Sequence, residues 1–284
     1  GTSSMNFSWT SGGNPAGTLY RVLSSTAPDP LAPAGALYVS SYTYELSLST
    51  AGLAPNTTYY FRVAGVNKNG VPTDYAAAAA TATLANLPAS AVSTFSAVSN
   101  AGFTASWSAN SNPAGTLYAV QISSAQDFSA SGAYQVAAVT APAEGTSYSF
   151  DGLVFSTTYY FRARAVNRNG IYTAPADLGS VKTAGLGSPS SVSVAAVAAN
   201  SMTASWSAVP QAVGYTLAAS VNPGSEPSPV YASSSTAGLG AVLDSPALAL
   251  NTTYYLFVRA DGAAESGPWT AFPATSTLAN QPVS

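Results

Sequence analysis

Neither cysteine nor histidine occurs among the 284 residues. Without cysteine there are no disulfides and no thiolate zinc sites, and nothing betrays the redox compartment. Without histidine the usual general base, metal ligand and pH-sensitive group are gone. Charge is scarce too. Asp, Glu, Lys and Arg make up 7% of the chain, against roughly 25% in an average globular protein, so the polar surface must come from Ser, Thr, Asn, Gln and backbone. The net charge of -3 and the eight scattered Lys and Arg argue against a nucleic-acid partner. No segment approaches the roughly 18 apolar residues of a membrane span, and the longest uniform run is the alanine stretch at 76–80. The opening GTSSMNFSWT lacks the charged region followed by an apolar one that marks a signal peptide.

What the chain does have is repetition. TTYYFR stands at residues 57–62 and again at 157–162, with TTYYLF at 252–257. VNKNGVPT at 66–73 matches VNRNGIYT at 166–173, and NPAGTLY occurs at 14–20 and 112–118. TLANLPAS at 83–90 returns as TLANQPVS at 277–284. Trp9, Trp107 and Trp206 sit in the contexts FSWT, ASWSA and ASWSA. Three tandem units of about a hundred residues follow from these spacings.

Within each unit, strand signals dominate. Tyr59, Phe61 and Val63 alternate with Tyr60, Arg62 and Ala64, the period of a half-buried strand. Asn69-Gly70 and Asn169-Gly170 supply the positive φ angles that a tight hairpin needs, and Asp261-Gly262 is expected to do the same in the third unit. Short strands between Gly, Pro, Asn and Ser clusters, with no useful helical period, predict an antiparallel sandwich.

One Trp early in each unit, then Leu-x-Pro-Asn-Thr-Thr-Tyr at 53–59, then an aromatic strand ending in Val-Asn-x-Asn-Gly, resembles the fibronectin type III family. The third unit departs from the pattern, with Leu250 in place of the Pro and Arg-Ala-Asp-Gly at 259–262. The resemblance implies an all-β fold of three tandem immunoglobulin-like sandwiches arranged as an extended rod. It places Trp9, Trp107 and Trp206 on strand B as core, and makes Tyr59, Tyr159 and Tyr254 the tyrosine corners opening strand F. Domains are expected at 1–86, 87–185 and 186–279, with 280–284 as a linker and the start of a further strand A. The first unit has eight residues before Trp9 and so lacks its own strand A, whereas the linker prolines Pro88 and Pro189 precede Trp107 and Trp206 by 19 and 17 residues. Pro282 opens a strand that stops after Val283 and Ser284. These complementary ends read either as a window on a longer array, the favoured reading, or as strand completion between neighbouring subunits.

Candidate sites are few. None of the eleven carboxylates recurs as the facing pair that glycoside hydrolysis needs. No G-x-S-x-G elbow and no calcium loop occur, so catalysis, a metal and a cofactor are all not expected. Asn56, Asn251 and Asn6 open glycosylation sequons, although at Asn56 and Asn251 a turn with positive φ is the better explanation of the residue, and Asn6 is expected within a strand. Tyr60, Tyr160 and Tyr255 point outward by alternation. Together with Tyr38, Tyr42, Tyr44, Trp269 and Val283 they are candidate contacts between units. The expected function is a non-enzymatic, extracellular or cell-surface repeat protein, a section of a fibre or filament whose partners are adjacent repeats or copies of itself, head to tail. The alternatives are an adhesin that binds sugar or protein through its loops, and spacer modules of a secreted polysaccharide-degrading enzyme.

Overall fold

The computed structural model describes residues 1–28, 37–77, 79–128, 136–139 and 145–283, and among these every regular element is a strand. The first repeat contains β1 (Ser4–Ser8), β2 (Leu19–Ser25), β3 (Leu37–Thr43), β4 (Ser47–Ala51), β5 (Thr58–Val66) and β6 (Ala79–Ala82). The second contains β7 (Ala89–Ser96), β8 (Gly102–Ser108), β9 (Leu117–Ser123), β10 (Val136–Val139), β11 (Ser147–Asp151), β12 (Thr158–Val166) and β13 (Ala176–Lys182). The third contains β14 (Ser193–Val197), β15 (Met202–Ser205), β16 (Gly214–Ser220), β17 (Ala232–Thr236), β18 (Gly240–Leu243), β19 (Thr253–Asp261), β20 (Thr270–Ala271) and β21 (Thr275–Ser276).

Each repeat builds two antiparallel sheets. The larger ones run β3-β2-β5-β6, β10-β9-β12-β13 and β17-β16-β19-β20, with β21 also on β19. The smaller ones are β11-β8-β7 and β14-β15-β18, but in the first repeat only the pair β1-β4. Aromatic rings join the facing sheets. Phe7 of β1 stacks on Phe61 of β5 at 4.8 Å, and Trp107 of β8 lies 6.0 Å from Phe161 of β12. Trp206 stands 5.6 Å from Tyr215 of β16. The chain is therefore all-β, a series of immunoglobulin-like sandwiches.

The alternation read from the sequence is realised along the long strand of each repeat. Tyr59, Phe61, Tyr159, Phe161, Tyr254 and Leu256 are all at most 1% exposed. Fully burying a side chain of this size contributes about 1.5–3 kcal/mol. The Tyr59 hydroxyl accepts a hydrogen bond from the Ala54 amide at 2.9 Å, and Tyr254 repeats this with the Ala249 amide at 2.9 Å. Each bond pins the turn five residues upstream, as a tyrosine corner does. Asn56, Ser156 and Asn251 end those turns with φ of 45°, 51° and 46°.

Two details differ from expectation. Gly70 and Gly170 adopt φ of 80° and 78° in their hairpins, but Gly262 does not adopt a positive φ. In the third repeat the strand runs through Asp261, and Gly262 serves a close approach instead, since a Cβ there would meet Phe155 Cζ at 2.6 Å. Trp9 is half-buried, while Trp107 and Trp206 are 2% and 4% exposed. The reason lies in the neighbours: β8 and β15 each lie between two strands, whereas among the described residues β1 pairs only with β4.

By contact density the chain separates into two compact units. One comprises Gly1–Ser96, Thr104–Ser149 and Tyr159–Val181, the other Ala97–Phe103, Phe150–Thr158 and Lys182–Ser284. The division passes through the middle repeat rather than between repeats, because each end of that repeat is built into a neighbour.

Candidate functional site

Where one repeat meets the next, side chains outside the sheets come together. In the first unit Asn56, held in the left-handed turn before β5, donates from Nδ2 to Thr116 Oγ1 at 2.8 Å and accepts at Oδ1 from the Arg168 amide at 2.8 Å. Arg168 Nε donates to the Asn56 carbonyl at 3.1 Å. Asn167 Nδ2 donates to the Thr83 carbonyl at 3.1 Å, and Asn169 Nδ2 to Thr81 Oγ1 at 3.0 Å. Asn86 and Asn112 close the joint reciprocally. The Asn86 amide donates to Asn112 Oδ1 at 2.7 Å, and Asn112 Nδ2 returns a bond to the Asn86 carbonyl at 2.8 Å.

The local sequence prepares each of these groups. In the NPAGT turn, Thr116 Oγ1 donates to the Pro113 carbonyl at 2.7 Å, which leaves its lone pairs facing Asn56. Asn167 Oδ1 accepts from the Asn169 and Ile171 amides at 3.0 and 2.8 Å, which holds the side chain so that Nδ2 points at Thr83. Asn56, Asn112 and Asn167 are 2%, 7% and 4% exposed, burial that polar side chains accept only when paired.

The joint in the second unit is made differently. Ser156 replaces Asn56, and Gln211 does the bridging. Its Nε2 donates to the Asn100 and Leu153 carbonyls, both at 3.0 Å, and its Oε1 accepts from the Phe155 amide at 3.3 Å. Phe155 and Leu186 then pack into one apolar cluster with Trp206, Val209 and Tyr215 of the third repeat. The first joint is marked by its hydrogen bonds, whereas the second adds an apolar cluster to the hydrogen bonds of Gln211.

The residues singled out in the sequence distribute as follows. Asn56 is a buried donor and acceptor in the polar joint, so its amide is not open to a glycan in this packing. Asn251, at the same place in the third repeat, is exposed, as is Asn6 on β1. Tyr60, Tyr160 and Tyr255 are half-buried, while Tyr42 and Tyr44 are 57% and 66% exposed. The Tyr38 side chain lies outside the described residues. Trp269 is half-buried with the Arg259 guanidinium 4.8 Å above its ring. Val283 is 99% exposed. The joint residues Thr116, Arg168, Asn112 and Gln211 were not anticipated.

Two tyrosines in this framework hold their protons more tightly than usual. Burial pushes the Tyr118 hydroxyl above the ordinary value of 10.0, against the opposing pull of a hydrogen bond from Asn112. Burial also raises Tyr254, against its bond from the Ala249 amide, with Tyr231 5.2 Å away ring to ring. Among the described residues no group of three His, Cys, Asp or Glu is placed to hold a metal ion. No helix among the described residues is long and apolar enough to cross a membrane.

The model of the fibronectin type III domain matches residues 90–177. The middle repeat is thus matched as a fibronectin type III domain. That domain spans from β7 into β13 and holds Trp107, the corner tyrosine Tyr159 and the NPAGT and VNRNG turns of the polar joint. No curated protein matches the sequence. Among solved structures, the chain is similar to the FN1–FN3 domains of chicken CNTN1, at 19% identity over 98% of this chain and 95% of that one, with a TM-score of 0.31. A two-domain fibronectin type III segment of chicken tenascin is 16% identical over 68% of this chain and 100% of that one, with a TM-score of 0.49. The fibronectin type III domain of human collagen alpha-1(XX) is 20% identical over 35% of this chain and 91% of that one, with a TM-score of 0.29.

Proposed function

We propose that this chain is a non-enzymatic structural repeat protein of the cell surface or extracellular space, a section or subunit of a fibre or filament. The observation that carries the reading is the polar joint. Six or more hydrogen bonds fix one repeat on the next through side chains that the repeat motifs themselves supply. Binding modules on loose linkers need no such investment, since a Gly- and Ser-rich connection leaves neighbouring domains free. The scarcity of charge and the lack of histidine suit a scaffold rather than a catalyst.

Electron microscopy of the native material tests this. Continuous fibres with a repeat of whole domains are expected, and isolated particles of a single chain would overturn it.

A further inference from the structure

We propose that the last repeat of one chain docks on the first repeat of a second copy, reproducing the polar joint between the first and second repeats. The inference gives the structural reading above its partner and rests on it.

Each joint needs a lower face from one repeat and an upper face from the next. The lower face of the polar joint consists of Asn56 in NTTYY and the TLAN segment at 83–86. Its upper face consists of NPAGT at 112–116 and the Val-Asn-x-Asn-Gly turn at 166–170. The lower-face motifs recur together in the third repeat, as NTTYY at 251–255 and TLAN at 277–280, and are absent from the second, which has Ser156 and Thr-Ala-Gly-Leu at 183–186. The upper-face motifs recur together in the first repeat, at 14–18 and 66–70, and are absent from the third. The second lower face and third upper face, which lack them, are joined by Gln211 and Phe155. One matching lower face and one matching upper face are left over, on the third and first repeats.

Both are folded ready. Thr18 Oγ1 donates to the Pro15 carbonyl at 2.8 Å, as Thr116 does to Pro113 at 2.7 Å. Asn67 Oδ1 accepts from the Asn69 and Val71 amides, both at 2.9 Å, the grip that aims Asn167 at Thr83. On the other side, Asn251 has φ 46° beside 45° for Asn56, and its amide donates to the Leu278 carbonyl at 3.2 Å as Asn56 donates to Leu84 at 3.1 Å. Thr277 Oγ1 donates to the Ala249 carbonyl at 2.6 Å, as Thr83 donates to Ala54 at 2.7 Å.

Exposure separates the used faces from the unused ones. Asn56, Asn112 and Asn167 are buried, while their counterparts Asn251, Asn14 and Asn67 are exposed. A hollow of about 670 Å³ lies on the first repeat, lined by Asn14, Gly17, Thr18, Asn67, Lys68 and Thr73 among others. In the second repeat the corresponding Thr116 and Asn167 hold Asn56 and Thr83. The copy's Asn251 and Thr277 fit the empty position, with Asn251 Nδ2 on Thr18, Asn67 Nδ2 on the Thr277 carbonyl, and Asn280 paired with Asn14. Gly12 stands where Asn110 donates to the Leu87 carbonyl, and Lys68 where Arg168 Nε donates to the Asn56 carbonyl, so those two bonds are not reproduced in the same form. Beyond Asn280, residues 281–283 lead toward the open edge of β1, as residues 87–89 lead into β7 beside β8. A head-to-tail contact of this kind generates a ring where its rotation closes and an open filament where it does not.

Sedimentation of the purified chain across concentration, beside its Asn67→Ala and Asn251→Gly variants, tests the docking. Glycine keeps the left-handed turn while removing the amide. The parent is expected to associate with rising concentration, and each variant to associate roughly fivefold to tenfold more weakly, with an unchanged thermal midpoint showing that it is folded. Oxidation of the Asn14→Cys/Asn280→Cys double variant, in a chain otherwise free of cysteine, is expected to give a covalent ladder, and either single variant nothing beyond a dimer. A parent that stays monomeric, variants that associate like the parent, or a double variant without a ladder overturns the docking. Fibres in the native material alongside any of those results would leave the structural reading standing, whereas isolated native chains defeat that reading itself.

Discussion

The Asn56 side-chain oxygen accepts the Arg168 amide at 2.8 Å, and the Arg168 guanidinium donates back to the Asn56 carbonyl at 3.1 Å. Two turns 112 residues apart in sequence thus hold each other by backbone and side chain at once. Asn56→Gly keeps the positive φ but leaves the Arg168 amide and Thr116 hydroxyl without this partner. It should lower stability by about 1–3 kcal/mol, read as a drop in thermal midpoint. Asn56→Ala should cost more, because alanine resists φ of 45°. Equal midpoints for parent and Asn56→Gly would remove this residue from the joint.

At the other joint, Phe155→Ala should open a cavity in the cluster shared with Trp206, Val209 and Tyr215. The expected loss is about 3–5 kcal/mol, measured by chemical denaturation. The same substitution should leave the polar joint untouched, so hydrogen exchange at the Asn86 and Arg168 amides should not rise below the global transition.

The four tryptophans should separate in a quenching experiment. Trp107 and Trp206, at 2% and 4% exposure, should resist acrylamide, whereas Trp9 and Trp269 should be reached. Removing Trp9 and Trp269 by substitution with Phe should therefore eliminate most of the quenchable emission. Retention of full quenching in that variant would contradict the open edge at β1.

Alkaline pH provides a further check. Tyr118 and Tyr254 are raised above 10.0 by burial, so the folded state binds their protons more tightly than the unfolded state does. The stability they contribute is complete below pH 10.0 and is lost as pH rises through the raised folded values. Tyr254→Phe should flatten the stability curve in that window, while costing about 1 kcal/mol at neutral pH through the lost bond to Ala249.

Much of this architecture is legible from residues alone. The alternation around Tyr59 and Tyr159, the turn glycines Gly70 and Gly170 and the corner tyrosines all express local rules that act within a few residues. The joints are less legible because one residue type serves several ends there. Asn56 satisfies a turn, a sequon and a contact with Thr116, and only the last involves a residue far along the chain. A usable signal was nonetheless present: NPAGT accompanies Val-Asn-x-Asn-Gly, and NTTYY accompanies TLAN, in different pairs of repeats. Motifs that vary together across repeats mark the two sides of a contact. The half-buried state of Trp9 follows from β1 having one strand neighbour among the described residues where β8 and β15 have two, which no property of Trp9 itself records.

The contrast between the two joints has a consequence for temperature. Apolar burial of the kind Phe155 and Leu186 provide weakens on cooling. The hydrogen bonds among Asn56, Thr116 and Arg168 owe little to that effect. Cold is therefore expected to weaken the apolar share of the second unit's joint, while its Gln211 hydrogen bonds, like those of the asparagine joint, owe little to that effect.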